Sequence, residues 1–230
     1  MASELVRLSD YTIEAPGNED GLRNFNLVFS KGDAFSIVTD SSDDAHHLLR
    51  GVAALDAPKS GRFLYKGEEI DFSDYRNLLH YKRNVGYVAS DAIFLANRSI
   101  HDNLMLMRHY FEDSTRIEMC TEAVELCRVF DLEKRLDLKP HQLDPEEHRL
   151  FVIVRELSKN PEILLLEKPG DFLATKSFEA LKGILRNLIK MDLALMFFST
   201  DQTFTDEFAN RRIAIDKGTV TSFVDSGKEL

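Results

Sequence analysis

The sequence predicts an α/β protein with a mostly parallel core sheet, an N-terminal antiparallel β part and a helical subdomain set into the core. Three observations predict it. In the last third of the chain, strand-like and helix-like runs alternate, as a doubly wound parallel sheet requires. Ile163-Leu164-Leu165-Leu166 is continuously apolar, the pattern of a strand buried on both faces. Near the N-terminus, Phe35 to Val38 runs into the polar loop Thr39-Asp40-Ser41-Ser42-Asp43-Asp44 and then into helix-like residues from His46 to Leu55, giving strand, loop, helix.

The elements follow in order. Phe25 to Phe29 reads as a strand ahead of the one at Phe35 to Val38. After Pro58-Lys59-Ser60-Gly61 come a strand at Arg62 to Tyr65, a turn at Lys66-Gly67 and a strand at Val85 to Ala89. Between Thr115 and Phe130, the residues Ile117, Cys120, Val124, Cys127 and Phe130 recur at spacings of three and four, one apolar face of a helix. Glu146 to Ser158 is helical and is ended by Lys159-Asn160-Pro161; Glu162 to Leu166 is the central strand. A helix from Ser177 to Lys190, a strand from Leu193 to Ser199, a helix from Gln202 to Ala209, a strand at Ile213 to Ile215 and a hairpin at Asp216-Lys217-Gly218 complete the pattern. One domain over residues 1–230 is expected, its helical subdomain covering approximately residues 91–157.

Composition narrows the function classes. The chain has 230 residues with 29 Lys and Arg against 39 Asp and Glu, a formal net charge of −10, so no general attraction to nucleic acid or anionic lipid is expected. With 43% hydrophobic and 30% charged residues it has the make-up of a folded globular protein. No apolar run approaches the length of a bilayer-spanning helix, so no direct membrane insertion is expected, and Met1-Ala2-Ser3-Glu4 carries no export signal, which points to the cytoplasm. Cys120 and Cys127 lie seven residues apart in a helical pattern, about 10.5 Å along the axis and beyond disulfide reach, and read as small core residues.

The order and lengths of these segments resemble the nucleotide-binding domain of ATP-binding-cassette (ABC) transporters, a P-loop NTPase-like fold, over nearly the whole chain. Phe35-Ser36-Ile37-Val38 followed by Leu48-Leu49-Arg50-Gly51 is similar to the family's strand, phosphate loop and helix; Ser60-Gly61 with Tyr65-Lys66-Gly67-Glu68-Glu69-Ile70 is similar to its following hairpin. Val85-Gly86-Tyr87-Val88 resembles the strand before its glutamine loop. Pro140-His141-Gln142-Leu143 sits where the signature motif begins, Val154-Arg155-Glu156-Leu157 matches the signature helix, and Asn160-Pro161 with Glu162 to Leu166 matches the strand bearing the magnesium-binding acid. Ser99 to Leu104 is most similar to importer-type and lipid-trafficking cassettes.

At the positions where the family does its chemistry, this chain departs from it. A phosphate loop needs glycines whose amides wrap the phosphates, a Lys to reach them and a Ser or Thr for Mg²⁺. The pattern G-x-x-x-x-G-K-[ST] falls on Thr39, Asp44, Ala45 and His46, with Asp40, Ser41, Ser42 and Asp43 between and His47 next. Each contact of a phosphate with Asp40, Asp43 or Asp44 at about 4 Å costs on the order of 4 kcal/mol at an effective dielectric of about 20. The glutamine-loop position is Ser90, the signature reads Leu143-Asp144-Pro145-Glu146-Glu147, the magnesium-binding acid is Glu167, the catalytic glutamate is Lys168, and the switch histidine is Thr200 beside Asp201. The base-stacking aromatic falls on Ala15, with Tyr11 as the alternative.

The expectation is a degenerate cassette, a pseudo-ATPase with no catalytic residue and no cofactor. It would serve as an accessory, structural or regulatory part of a membrane transport complex, its partners a permease subunit, a second cassette or a second copy of itself. The alternatives are a divergent ATPase that uses ATP and Mg²⁺ only with a competent partner cassette, or an interaction protein outside transport. Asp40, Asp44 and His46 are metal-ligand candidates, against the plainer reading of an acid-capped helix N-terminus. Glu146 and Glu147 are expected in the first turn of a helix. Lys168 is expected to pair with a loop acid if the end of its strand faces the loop.

Overall fold

The computed structural model describes residues 3–14, 21–111 and 118–224. Among them, β1 (Glu4–Ile13), β2 (Leu22–Ser30), β4 (Ser60–Tyr65) and β5 (Glu68–Glu69) form an antiparallel sheet in the order β2-β1-β4-β5. The core sheet has the order β10-β9-β3-β8-β7-β6, from β10 (Thr219–Val224), β9 (Arg211–Asp216), β3 (Ala34–Val38), β8 (Ala194–Phe198), β7 (Ile163–Glu167) and β6 (Val85–Val88). All its pairs are parallel except the β9–β10 hairpin. The mixed α/β class expected from the sequence is the one observed.

The apolar run of β7 alternates between two cores. Ile163 and Leu165 join a core shared with β1, β2, β4 and α1 (Ser42–Val52), while Leu164 and Leu166 join another built with α5 (Pro145–Leu157) and α6 (Thr175–Ile189). β8 alternates likewise, Met196 to one side and Phe197 to the other. A strand sandwiched in this way has no solvent-facing side, which is why its sequence shows no polar alternation.

Several elements depart from the sequence expectation. α1 starts at Ser42, one turn earlier than His46, because Ser41 caps it and Asp43 and Asp44 sit in the first turn, where the helix dipole favours acids. It ends at Val52, where Ala53 caps it and Ala54 turns to φ 52°. The helix expected over Thr115 to Phe130 is α4 (Thr121–Val129), with Cys120 at its N-cap; residues 115–117 lie outside the described residues. Cys127 is buried as expected, whereas Cys120 is only half-buried, and both are free thiols. The sequence reading also missed β1, α2 (Tyr75–Arg83) and α3 (Ile100–Phe111). β1 hides its strand pattern behind register shifts between Leu8 and Tyr11 and between Tyr11 and Ile13, and α2 buries only Leu78 and Tyr81. Tyr11, the alternative base-stacking residue, is 0% exposed in the core beside Phe25 and Phe63, so it has no face to offer a ligand; Ala15 lies outside the described residues.

Where β4 passes the bulge of β1, Gly61 adopts φ +92°, and a Cβ there would lie 2.4 Å from the Asp10 carbonyl oxygen. Gly67, with φ +84° in the turn between β4 and β5, has open space around it. Gly61→Ala is therefore expected to cost about 2–3 kcal/mol and Gly67→Ala about 1 kcal/mol. Urea unfolding of the two variants checks this, and equal costs would show that backbone crowding at the bulge is not what selects glycine.

Candidate functional site

In open parallel sheets, ligand sites form at the carboxyl ends of the strands. Here the ends of β3, β6 and β7 and the first turns of α1 converge on one buried carboxylate. Glu167, the last residue of β7, is 3% exposed. Its Oε2 accepts from the Tyr87 hydroxyl at 3.0 Å and the Ser90 backbone N–H at 3.1 Å, and lies 3.0 Å from His46 Nδ1. Its Oε1 is 3.2 Å from the same ring nitrogen. Burial alone would raise the Glu167 carboxyl, but the hydrogen bonds from His46 and Ser90 and the charge of His46 bring it below the ordinary carboxylate range. The same burial beside Glu167 pushes the Tyr87 hydroxyl far up, so it remains a donor.

Arg149 closes the back of the site. On the second turn of α5, only 5% exposed, it donates through Nη1 to the Ala89 carbonyl at 2.7 Å and through Nη2 to the Glu167 and Lys168 carbonyls. One guanidinium thus ties α5 to the ends of β6 and β7. Its Nε is buried with no hydrogen-bond partner. Burial lowers its pKa while the nearby Asp171 and Glu167 charges raise it, with a net fall.

The sequence-predicted residues divide into two groups. His46, Glu167 and the Ser90 amide are brought together. Ala45 is 0% exposed and packs in the core. Asp40, Ser42 and Asp43 face solvent, Thr39, Ser41 and His47 are half-buried, and the Thr39 hydroxyl accepts from the Ser41 N–H. Asp44 is half-buried with its carboxyl raised, by burial first and by the Asp43 charge, against a lowering from His47. Leu143 precedes Asp144, the N-cap of α5; Pro145 is the first residue of the helix, and Asp144 and Glu147 form a reciprocal capping box, so Glu146 and Glu147 stand in its first turn as expected. Glu146 accepts from the Ala174 N–H and the Ser177 hydroxyl. Thr200 is exposed beside Asp201, which caps α7 (Gln202–Phe208).

Two expectations fail. Lys168 makes no ion pair among the described residues: its backbone turns to φ 48° and donates to the Phe198 carbonyl, and the contact between the α1 end and the β7 end is instead His46 to Glu167. Asp40, Asp44 and His46 do not converge, and among the described residues no group of three or more His, Cys, Asp and Glu side chains is placed to hold a metal ion. The sequence reading missed Tyr87 and Arg149. A lone arginine inside the apolar stretch Leu150 to Val154 and its preceding turn was the available signal for the second, since such a cation needs buried acceptors.

A second feature is a cleft of about 570 Å³ between α2, the segment after β6 and α3. Leu55, Tyr75, Ile93 and Leu106 are exposed along it, with Arg50 and Lys82 at its walls. No helix among the described residues is long and apolar enough to cross a membrane.

Comparison with known proteins points one way. The family model described as "ABC transporter" matches residues 22–170. The chain is 26% identical over 211 residues to the sulfate/thiosulfate import ATP-binding protein CysA of Pseudomonas putida, covering 90% of this chain and 63% of that protein. It is 24% identical over 228 residues to the methionine import ATP-binding protein MetN of Cupriavidus metallidurans, covering 99% of this chain and 65% of that one. The chain thus spans less than two thirds of the length of these relatives. In structure it is similar to a dimeric post-hydrolysis state of the ATP-binding cassette MJ0796 bound to ADP and Pi, with TM-score 0.83, 23% identity and coverage of 96% of this chain and 98% of that chain.

The buried charges fix the pH response. In the folded chain Glu167 is held below its ordinary value of 4.5. Glu156 is also held below it: burial raises it, and the Lys159 and Arg155 charges and hydrogen bonds more than offset that. A carboxyl with a depressed folded pKa adds stability that is in place above about pH 4.5 and is lost as pH falls through the folded value. Stability by urea unfolding is therefore expected to fall as pH drops from 5 to 3, with a shallower slope in Glu167→Gln. Arg149→Met, which strips the donor from three carbonyls and a cation from beside Glu167, is expected to cost about 3 kcal/mol or more at pH 7.

Proposed function

The chain belongs to the ABC transporter family, and on that premise we propose that it is the ATP-binding-cassette subunit of an import system that serves as a structural or regulatory component without hydrolysing ATP. The observation that carries this reading is the state of Glu167: the carboxylate at the metal-binding position is engaged by an imidazole, a phenol and a backbone amide. ATP and Mg²⁺ do not fit this donor set. A strand–GxxxxGK[ST]–helix unit keeps its loop open for phosphate, whereas here α1 already begins at Ser42 and only Thr39 to Ser41 remain as loop. Of the first-turn amides, the Asp44 N–H is taken by the Ser41 hydroxyl and the Ala45 N–H by the Ser41 carbonyl. Asp40 and Asp43 face the solvent where a triphosphate would approach, and Ala45 offers no ammonium. At the signature position, Pro145 lacks an N–H and Glu146 and Glu147 bring negative charge.

Two surfaces remain for partners. The cleft with exposed Leu55, Tyr75, Ile93 and Leu106 has the concavity and apolar lining that accept a helix of a membrane permease, and the acidic first turns of α1 and α5 suit a second cassette better than a second copy of the same chain. In this reading residues 1–230 act as one cassette, residues 91–157 form its helical subdomain, and the protein works in the cytoplasm at the inner face of the membrane through its permease.

Calorimetry of the purified chain with ATP or ADP and Mg²⁺ tests the proposal. No saturable heat is expected up to millimolar nucleotide. Saturable micromolar binding by the chain alone, or hydrolysis that appears when a competent partner cassette is added and is lost in Glu167→Gln, would replace the proposal with a divergent ATPase.

A further inference from the structure

We propose that the His46–Glu167 hydrogen bond takes the place of a bound divalent cation in this chain, so that the site is closed by its own side chains and stands assembled without metal or phosphate. The inference rests on the reading of the chain as a non-hydrolysing cassette and names the residue that closes its site. Glu167 terminates the central strand and is 3% exposed, while His46 stands on the second turn of α1, its side chain 22% exposed. The imidazole Nδ1 lies within hydrogen-bond distance of both carboxylate oxygens, at 3.2 and 3.0 Å, bridging them from the side on which the loop after β3 opens.

Three donors share this carboxylate, and His46 is the one that covers Oε1. Oε2 already accepts from the Tyr87 hydroxyl and the Ser90 N–H, and Arg149 sits behind the strand end on the Ala89, Glu167 and Lys168 carbonyls. Mg²⁺ requires near-octahedral oxygen ligands at about 2.0–2.1 Å, and donors already pointed at the same carboxylate compete with it. The link that a cation would otherwise make between helix and strand is made by a side chain of the helix itself. The contact joins elements 121 residues apart in sequence, across β8, and so fixes α1 against the core sheet.

A double-mutant cycle tests this on the full chain, with His46→Ala, Glu167→Gln and the double variant unfolded in urea at pH 6 with and without millimolar Mn²⁺ as the metal probe. The expected result is that His46→Ala lowers the folding equilibrium constant about tenfold or more in the wild-type background and less than about threefold in Glu167→Gln, because the second background has no charge left to neutralise. Mn²⁺ is expected to leave the wild type unchanged and to recover part of the loss in His46→Ala. Additive effects in the cycle, or Mn²⁺ binding by the wild type that Glu167→Gln removes, would overturn the inference. If His46→Ala does not fold, His46→Leu carries the same cycle, since it fills the space of the ring and has no donor. Failure here is separable from failure of the proposed function: an additive cycle in a chain that binds no nucleotide sinks this inference alone. Nucleotide binding with the coupling intact sinks only the functional reading.

Discussion

A carboxylate at the end of a central strand, sealed from solvent on both faces of the sheet, has to be neutralised or the strand cannot end where it does. Glu167 is that carboxylate, and the surrounding architecture answers to it. His46 reaches it from α1, Tyr87 from β6, and the Ser90 amide from the turn that follows. Arg149 takes the backbone carbonyls at the same strand end. Four segments far apart in sequence are held together by these contacts. Apart from the Arg149 Nε, the polar groups of the set satisfy one another, which makes the network sensitive to the loss of any member.

The same closure shapes what the domain offers to other molecules. A site for phosphate needs unpaired amides and positive charge facing an open loop. In this chain Ser41 takes the Asp44 and Ala45 amides, the position of the lysine is buried as Ala45, and Asp40 and Asp43 face solvent. What it leaves open is the apolar cleft beside α2 and α3, the feature of its described surface best suited to a protein partner.

Much of the fold was legible in the sequence because burial writes itself into periodicity. The runs at Ile163 to Leu166 and Leu193 to Phe198 are apolar on both parities, and the structure places them side by side at the centre of the sheet. β1 was not legible, since its register shifts and the positive φ of Asp10 break the alternation that marks a strand. The site was legible as a set of positions and not as a set of contacts. The resemblance to ABC cassettes picks out Ser90, His46 and Glu167 as positions, but which side chain meets the carboxylate depends on where a helix begins. Moving the start of α1 from His46 to Ser42 turns His46 from a first helical residue into a second-turn side chain facing β7, and that shift followed from capping by Ser41. Lys168 does not reach a loop acid as expected; its backbone takes a left-handed turn and gives its N–H to Phe198.

The central claim is that the charge of Glu167 is balanced within the chain. Its most direct test is a crystal structure at a resolution that defines ring and carboxylate geometry, grown with Mg²⁺ and a non-hydrolysable ATP analogue. The account predicts His46 Nδ1 still within hydrogen-bond distance of Glu167, near the 3.0 Å found here, with the Tyr87 and Ser90 contacts intact. A metal ion on the Glu167 carboxylate with the imidazole turned away, and the first turn of α1 unwound around phosphate, would contradict it.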